Sequence, residues 1–279
     1  MMITARHDNP ECGDKVSALR PSVQGAQQFV DMHCHCLPDL DDGPASIDEA
    51  LLLCARLVED KVRIVVATPH QLGCYEDCTT TQRILQATRL LNRRLVERGI
   101  DLTVLPGAEV RLDERISELL ARQRVLTLAD AGRHILLELP AEVFIDVEPL
   151  LMQLVSEGVD PIIAHPERNR PLLGRLDIVP RWLSCGTSLQ VTAASLTGHF
   201  GLSAQRAALS LIAVGWVDTV ATDAHGCHFH PPRMTAAYDI IAADLGDSVA
   251  RLLCMDNPSR VVRGERLVPA CGYDMKEIW

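Results

Sequence analysis

The stretch "FVDMHCHCLPDLDDG" (residues 29–43) sets two histidines, two cysteines and four aspartates in and just behind a short apolar run. A run of that length is a strand turning into a loop. On an extended strand, residues i and i+2 face the same side, so the imidazoles of His33 and His35 can reach one ion. "DDG" taken alone reads as a turn. It does not read as a calcium loop, because Pro38 and Leu40 would fill the first and third ligand positions before Gly43. Whether this stretch is part of a metal site depends on how the other strands end.

They end in the same chemistry. Short β-rich runs recur at "VRIVVATPH" (62–70), "DLTVLPGAEV" (101–110), "RHILLELP" (133–140), "DPIIAHPE" (160–167), "TSLQVTAASL" (187–196) and "WVDTVATDAH" (216–225). The first strand supplies His33 and His35, with Asp42 beyond it. The others bring His70, Glu109, Glu138, His165, and Asp223 with His225; only the run at 187–196 ends without such a group. Between the runs lie helical stretches such as "SIDEALLLCARLVEDK" (46–61), opened by a Ser46/Glu49 capping box, and "TTTQRILQATRLLNRRLVERG" (79–99). Strands alternating with helices, without tight hairpin signals, predict parallel β/α construction. Seven such units suggest one barrel-like domain, with a doubly wound open sheet as the alternative. In parallel β/α architectures the C-terminal strand ends and the loops after them form the active site, so nine His or carboxylate groups at six of seven strand ends are expected to converge.

Composition sets the bounds. At 279 residues, 47% hydrophobic and 23% charged, the chain is an ordinary globular protein. A net charge of −10 disfavours a protein that grips nucleic acid by neutralising phosphates. The N-terminus has no apolar signal-peptide core, and the longest apolar run, "LSLIAVGWV" (209–217), is too short to cross a bilayer. Ten cysteines with no CxxC pair read as reduced thiols of a cytoplasmic protein, not as a thiolate zinc site. Residues 1–28 have no apolar period and are expected to be a mobile leader, followed by a domain over 29–265 and a tail over 266–279.

Imidazole plus carboxylate suits Mn²⁺, Fe²⁺, Zn²⁺ or Mg²⁺. Nine donors exceed the needs of one ion but fit two or three ions that share bridging carboxylates. Three divalent ions would bring about +6, against about −4 from Asp42, Glu109, Glu138 and Asp223, leaving a positive hole for a phosphate dianion. A bridging water there would lose a proton near neutral pH and attack phosphorus in line. Arg168, three residues after His165, is placed to fork onto phosphoryl oxygens; its other reading is a surface arginine paired with Glu167.

Taken in order, "DMHCHCLPDLDDGP", "ATPH", "PGAEV", "LLELP", "AHPER", "LQVTAASLTG", "ATDAH", "PPRM" and "DNPSRVV" resemble the polymerase-and-histidinol-phosphatase (PHP) superfamily. Within it the chain is similar to the CpsB/CapC/YwqE-type bacterial tyrosine-protein phosphatases of capsule and exopolysaccharide systems, over about residues 29–265. The resemblance implies a distorted seven-stranded β/α barrel with three divalent ions, usually manganese. His33, His35, Glu109 and Asp223 would hold one ion. Glu109 would bridge to a second, held with Glu138 and His165, while Asp42, His70 and His225 would hold the third. It implies phosphotyrosyl protein as substrate, typically the tail of a bacterial tyrosine kinase; the metal chemistry of the donors predicts hydrolysis by metal-bound hydroxide without a phosphoenzyme. Homo-oligomers are known among relatives, although "SIDEALLLCARL" departs from the paired-glutamate pattern of that contact. Three departures touch substrate binding. His230 stands where relatives often carry arginine, so that Arg233 or His230 would assist Arg168; Gln71 replaces a common basic residue; and Thr192 replaces a frequent asparagine.

Rival readings are a PHP phosphoesterase acting on a small ester such as histidinol phosphate, and a non-catalytic metal-binding regulatory domain. A thiol phosphatase would use C-x5-R, found at Cys227–Arg233 and Cys254–Arg260. Prolines at 231, 232 and 258 remove backbone donors such a phosphate loop needs, which argues against it.

Overall fold

The structure is a computed structural model that describes residues 27–227 and 230–270. The expected leader, apart from residues 27 and 28, and the expected tail beyond residue 270 lie outside the described residues.

Among the described residues nine strands form, all paired in parallel: β1 (Phe29–Cys34), β2 (Val62–Ala67), β3 (His70–Gln71), β4 (Thr103–Pro106), β5 (Glu109–Arg111), β6 (His134–Glu138), β7 (Asp160–Ala164), β8 (Ser188–Thr192) and β9 (Thr219–Ala221). One sheet has the order β1-β2-β4 and the other β3-β5-β6-β7-β8-β9. Every expected strand is present, but the second and third are each broken in two, which gives nine strands for the seven expected. The breaks have local causes. Pro69 has no amide to give the ladder, although its carbonyl still accepts from Glu109 N at 3.3 Å. At Gly107 a Cβ would lie 2.6 Å from Val66 Cγ1, so β2 and β4 approach there as only glycine allows. The run expected over 187–196 also turns early: Ala193–Leu196 is a helical turn.

The ends of the strand series meet. His35 N donates to Ala224 O at 2.9 Å and Asp223 N to His33 O at 2.8 Å, joining the end of β1 to the segment after β9. The order also follows the chain, without the reversal that a doubly wound sheet requires. Both strand faces are buried, in separate cores. Val30, Met32, Val66, Leu105, Leu136, Ile162 and Ala221, from both sheets, share one interior cluster. The alternate residues pack outward against helices, Val65, Val104, Ile135, Ile163, Leu189 and Val220 among them.

The longer helices are α1 (Ile47–Glu59), α2 (Thr81–Arg98), α3 (Glu148–Ser156), α4 (Gly201–Ala213) and α5 (Met234–Leu245). Ser46 caps α1 by accepting from Glu49 N at 3.3 Å, while Glu49 Oε2 accepts from Ala45 N rather than from Ser46 N, a displaced version of the expected box. Thr80 caps α2 likewise, and Gly99 closes it in the left-handed conformation. Among the described residues no helix is long and apolar enough to cross a membrane, and the eight cysteines are free thiols.

Candidate metal centre

The strand ends bring the nine expected donors to one place. His33 and His35 are fully buried on β1. His33 Nδ1 donates to Gln190 Oε1 at 2.8 Å, and His35 Nδ1 donates to Asp41 Oδ2 at 2.6 Å. These outward bonds leave both Nε2 atoms facing inward, 3.3 Å apart, with Asp223 Oδ1 at 3.1 and 3.5 Å and Glu109 Oε2 at 3.5 and 3.4 Å. A carboxylate or amide behind each imidazole is how metal-binding histidines are oriented.

Glu109 is the hub. Its Oε1 lies 2.7 Å from His165 Nε2, and its Oε2 lies 3.1 Å from His70 Nδ1. His70 Nδ1 is also 3.4 Å from Glu138 Oε2, and its Nε2 is 3.7 Å from Asp42 Oδ1. His225 directs Nε2 at Asp42 Oδ1 (3.4 Å), its Nδ1 lies 2.9 Å from Asp223 O, and its ring stacks on His35 at 3.9 Å. Four sets of donors therefore form, each with its ligand atoms within 4.8 Å of one another: His33, His35 and Asp223; His70, Glu109 and Glu138; Asp42, His35, His70 and His225; and Asp223, His225 and His230. His165 and Asp223 both adopt left-handed backbone (φ 35° and 52°), the kind of local strain that collects at functional sites.

The electrostatics call for cations. Burial opposes charge on Asp223, yet Arg168 and His33 outweigh it and hold its carboxyl well below the usual range. Burial likewise opposes charge on Glu109, where His33 and His165 prevail in the same direction. Burial disfavours protonated His33, but Glu109 and Asp223 push its pKa up to about 10. His35 is raised for the same reason, with Asp41 as the main counter-charge. Burial, with help from nearby Glu109, raises Glu138. Burial and the neighbouring His35 push His70 down to about 4. Buried carboxylates here need positive charge between them, and divalent ions would supply it while displacing the imidazole protons. The buried atoms Glu109 Oε2 and His70 Nδ1, which face each other, have no hydrogen-bond partner among the described residues. Such lone pairs fit a metal ion, so the donor set passes the test of chemistry as well as of proximity.

The phosphate-binding candidates separate. Arg168 does not pair with Glu167: its Nη2 bonds Asp223 Oδ2, and its guanidinium lies over Phe200, 4.6 Å from the ring centroid. Glu167 turns inward, where Oε1 accepts from Thr192 N and Ser195 Oγ at 3.0 and 2.7 Å. His230 reaches the cluster, its ring 4.8 Å from both His225 and Phe200; burial lowers its pKa to about 4. Arg233 is exposed at the start of α5, with no bond or ion pair to the cluster among the described residues.

Several residues escaped sequence reading. Asp41 accepts from His35 Nδ1, from His70 N at 3.0 Å and from Gly43 N at 3.1 Å. Gly43 in turn sits where a Cβ would be 2.5 Å from His35 O, so the "DDG" turn is seated on the β1 end. Gln190 shows that the one strand without a ligand still contributes, by orienting His33. Arg111 bonds Glu138, and Tyr75 stacks on His70. The only signal for these was a polar residue near a strand end. The two C-x5-R cysteines have no role here: burial raises the Cys254 thiol far above its ordinary pKa, and Cys227 lies beside Arg56, Pro231 and Pro232.

Comparison with known proteins gives a consistent picture. The sequence profile described as "Capsular polysaccharide synthesis, CpsB/CapC" matches residues 29–263. Tyrosine-protein phosphatase YwqE of Bacillus subtilis (strain 168) is 31% identical over 241 residues, covering 86% of this chain and 93% of the relative. Tyrosine-protein phosphatase CpsB of Streptococcus pneumoniae is 30% identical over 84% of this chain and 98% of its own. A crystal structure from work on those two proteins, described as unique metal-dependent tyrosine phosphatases, superposes with a TM-score of 0.80 at 29% identity, over 86% of this chain and 98% of the other. The lactonase Lmo2620 of Listeria monocytogenes shares the fold at a TM-score of 0.56 and 12% identity, over 84% and 94%.

Proposed function

Because the chain belongs to the CpsB/CapC family of capsular polysaccharide synthesis, we propose that it is a metal-dependent protein-tyrosine phosphatase. The observation that carries this reading is the gathering of nine imidazole and carboxylate donors around Glu109, with Arg168 beside them, in a chain about 30% identical to tyrosine phosphatases. On this reading the two sheets form one distorted seven-stranded β/α barrel, β2 with β3 and β4 with β5 each counting as one strand, in a domain over 29–265 flanked by a leader and a tail. Three divalent ions, manganese by preference, would be held by His33, His35, Glu109 and Asp223; by Glu109, Glu138 and His165; and by Asp42, His70 and His225. The substrate is a phosphotyrosyl protein in the cytoplasm, the tail of a bacterial tyrosine kinase that governs capsule or exopolysaccharide synthesis.

When bound, the ions would supply an activated water and neutralise charge that develops on phosphorus. The chain's own groups do the rest. Gln190 and Asp41 fix the ring tautomers of His33 and His35, so that the inner nitrogens present lone pairs. Phe200 and Asp223 hold the Arg168 guanidinium at the rim, where its outer amino groups can orient phosphoryl oxygens, while Arg168 Nε is buried without a hydrogen-bond partner among the described residues. His230, edge-on to Phe200, borders the same place. Tyrosinate is a fair leaving group (phenol pKa about 10), so a strong general acid is not required.

The test is hydrolysis of a phosphotyrosyl peptide beside histidinol phosphate. Chelation should abolish peptide turnover and Mn²⁺ restore it, His35→Ala or Asp223→Ala should abolish it in a folded protein, and Arg168→Ala should mainly impair substrate binding. Chelator-resistant turnover that a thiol alkylator stops would refute the mechanism, and preference for histidinol phosphate would move the substrate to small esters. Normal metal uptake without turnover of either would make the chain a regulatory binding domain.

A further inference from the structure

The rim carries a second arginine that the mechanism above leaves unused. Arg111 ends β5, in register with Glu138 on β6. Its Nε donates to Glu138 Oε2 at 2.9 Å, its Nη1 donates to Cys74 Sγ at 3.1 Å, and its guanidinium lies over the Tyr75 ring, 5.2 Å from the centroid. Tyr75 stacks in turn on His70, 5.3 Å away and 15° from parallel. Gly73 leaves room for this: a Cβ there would be 2.9 Å from Arg111 Cδ.

The other flank repeats the arrangement. Arg168 pairs with a cluster carboxylate, Asp223, and lies over an aromatic ring, Phe200, that packs on a histidine, His230. β5 carries Arg111 and β7 leads into Arg168, so the two guanidinium groups come from the strands on either side of β6 and Glu138. Arg111 is held at three points, yet its Nη2 makes no hydrogen bond among the described residues and its side chain is 36% exposed. A pre-oriented guanidinium with an open edge is suited to a phosphoryl oxygen. Arg233, the arginine first expected in this role, is exposed at the start of α5 instead.

We propose that Arg111 is the second phosphate-binding arginine of the site, gripping a non-bridging oxygen of the substrate from the Glu138 side while Arg168 grips from the Asp223 side. Tyr75 keeps the guanidinium in place. The inference rests on the phosphatase reading for its substrate, but phosphate binding can be read without turnover.

The experiment uses the full chain loaded with Mn²⁺. Calorimetry follows inorganic phosphate binding, steady-state kinetics give kcat and KM for a phosphotyrosyl peptide, and metal analysis gives bound Mn²⁺. Arg111→Ala should weaken phosphate binding and raise KM about tenfold, the scale of one lost charge-assisted bond, with Mn²⁺ content unchanged. Arg111→Lys, which keeps the charge but not the fork and disturbs folding least, should fall between. Unchanged phosphate affinity in Arg111→Ala, or a loss of affinity that tracks loss of Mn²⁺, would overturn the proposal, the latter reducing Arg111 to a support for Glu138. Wild-type protein that binds no phosphate would overturn it as well. Arginine-dependent phosphate binding without peptide hydrolysis would refute the phosphatase reading and leave this one standing.

Discussion

Asp41 and Asp42 are neighbours in sequence with different partners. Asp42 is half exposed and faces His70 and His225, whereas the Asp41 side chain is fully buried behind His35. Burial opposes charge on Asp41, but His35 and two backbone amides hold its pKa below the usual range. Asp41→Asn keeps an acceptor oxygen but removes the charge that makes His35 a stronger, correctly turned donor. We expect metal affinity to fall about 10–100-fold, the usual effect of losing such an orienting partner, with the fold retained. Competition of Mn²⁺ against a calibrated chelator measures it, and equal affinity in the variant would remove Asp41 from the orienting role. A sequence lists both aspartates without distinction; only the 2.6 Å contact separates them.

At the scale of elements, the break between β4 and β5 and the start of β6 each give a prediction. The Cβ of Gly107→Ala would meet Val66 Cγ1 at 2.6 Å and Ala67 O at 3.3 Å, and the backbone oxygen cannot rotate away. Overpacking of this kind costs about 1–3 kcal/mol. Urea denaturation should show a lower midpoint with little change in slope; an unchanged midpoint would mean that the two strands can separate at no cost. His134 opens β6 with both ring nitrogens buried and unbonded among the described residues, and Asp160 is 4.0 Å from its Nε2. Burial lowers its pKa from 6.5 to about 4, against a smaller opposing effect of Asp160. Between those values the unfolded chain binds the proton and the folded one does not. Stability from this residue is therefore complete above pH about 6.5 and declines as pH falls toward 4, by on the order of 3 kcal/mol. His134→Leu, of similar size, should flatten that part of the stability–pH curve; parallel curves for parent and variant would show that His134 is not the group titrating.

For the molecule as a whole, the candidate metal centre joins β1 to the segment after β9 and lies at the ends of strands from both sheets. Ions that bind only the folded chain should stabilise all of it, by about 2.7 kcal/mol for each site at 100 times its dissociation constant. The melting temperature should rise with Mn²⁺ concentration and fall with chelator, less so in Asp223→Ala; a melt insensitive to Mn²⁺ in the wild type would argue against a buried ion cluster. The sequence by itself determined the strand and helix alternation, the parallel β/α class and the nine His and carboxylate residues that the strand ends gather, because strand periodicity and the side a residue faces are local consequences of the pleat. It did not determine where β2 and β4 pause, that Glu167 turns away from Arg168, that Asp41 and Gln190 orient the imidazoles, or that Arg111 joins the rim in place of Arg233. Those depend on register and close approach between residues mostly tens of positions apart or more, and six for His35 and Asp41. Such contacts leave no periodic trace in the chain, and only the packed structure decides them.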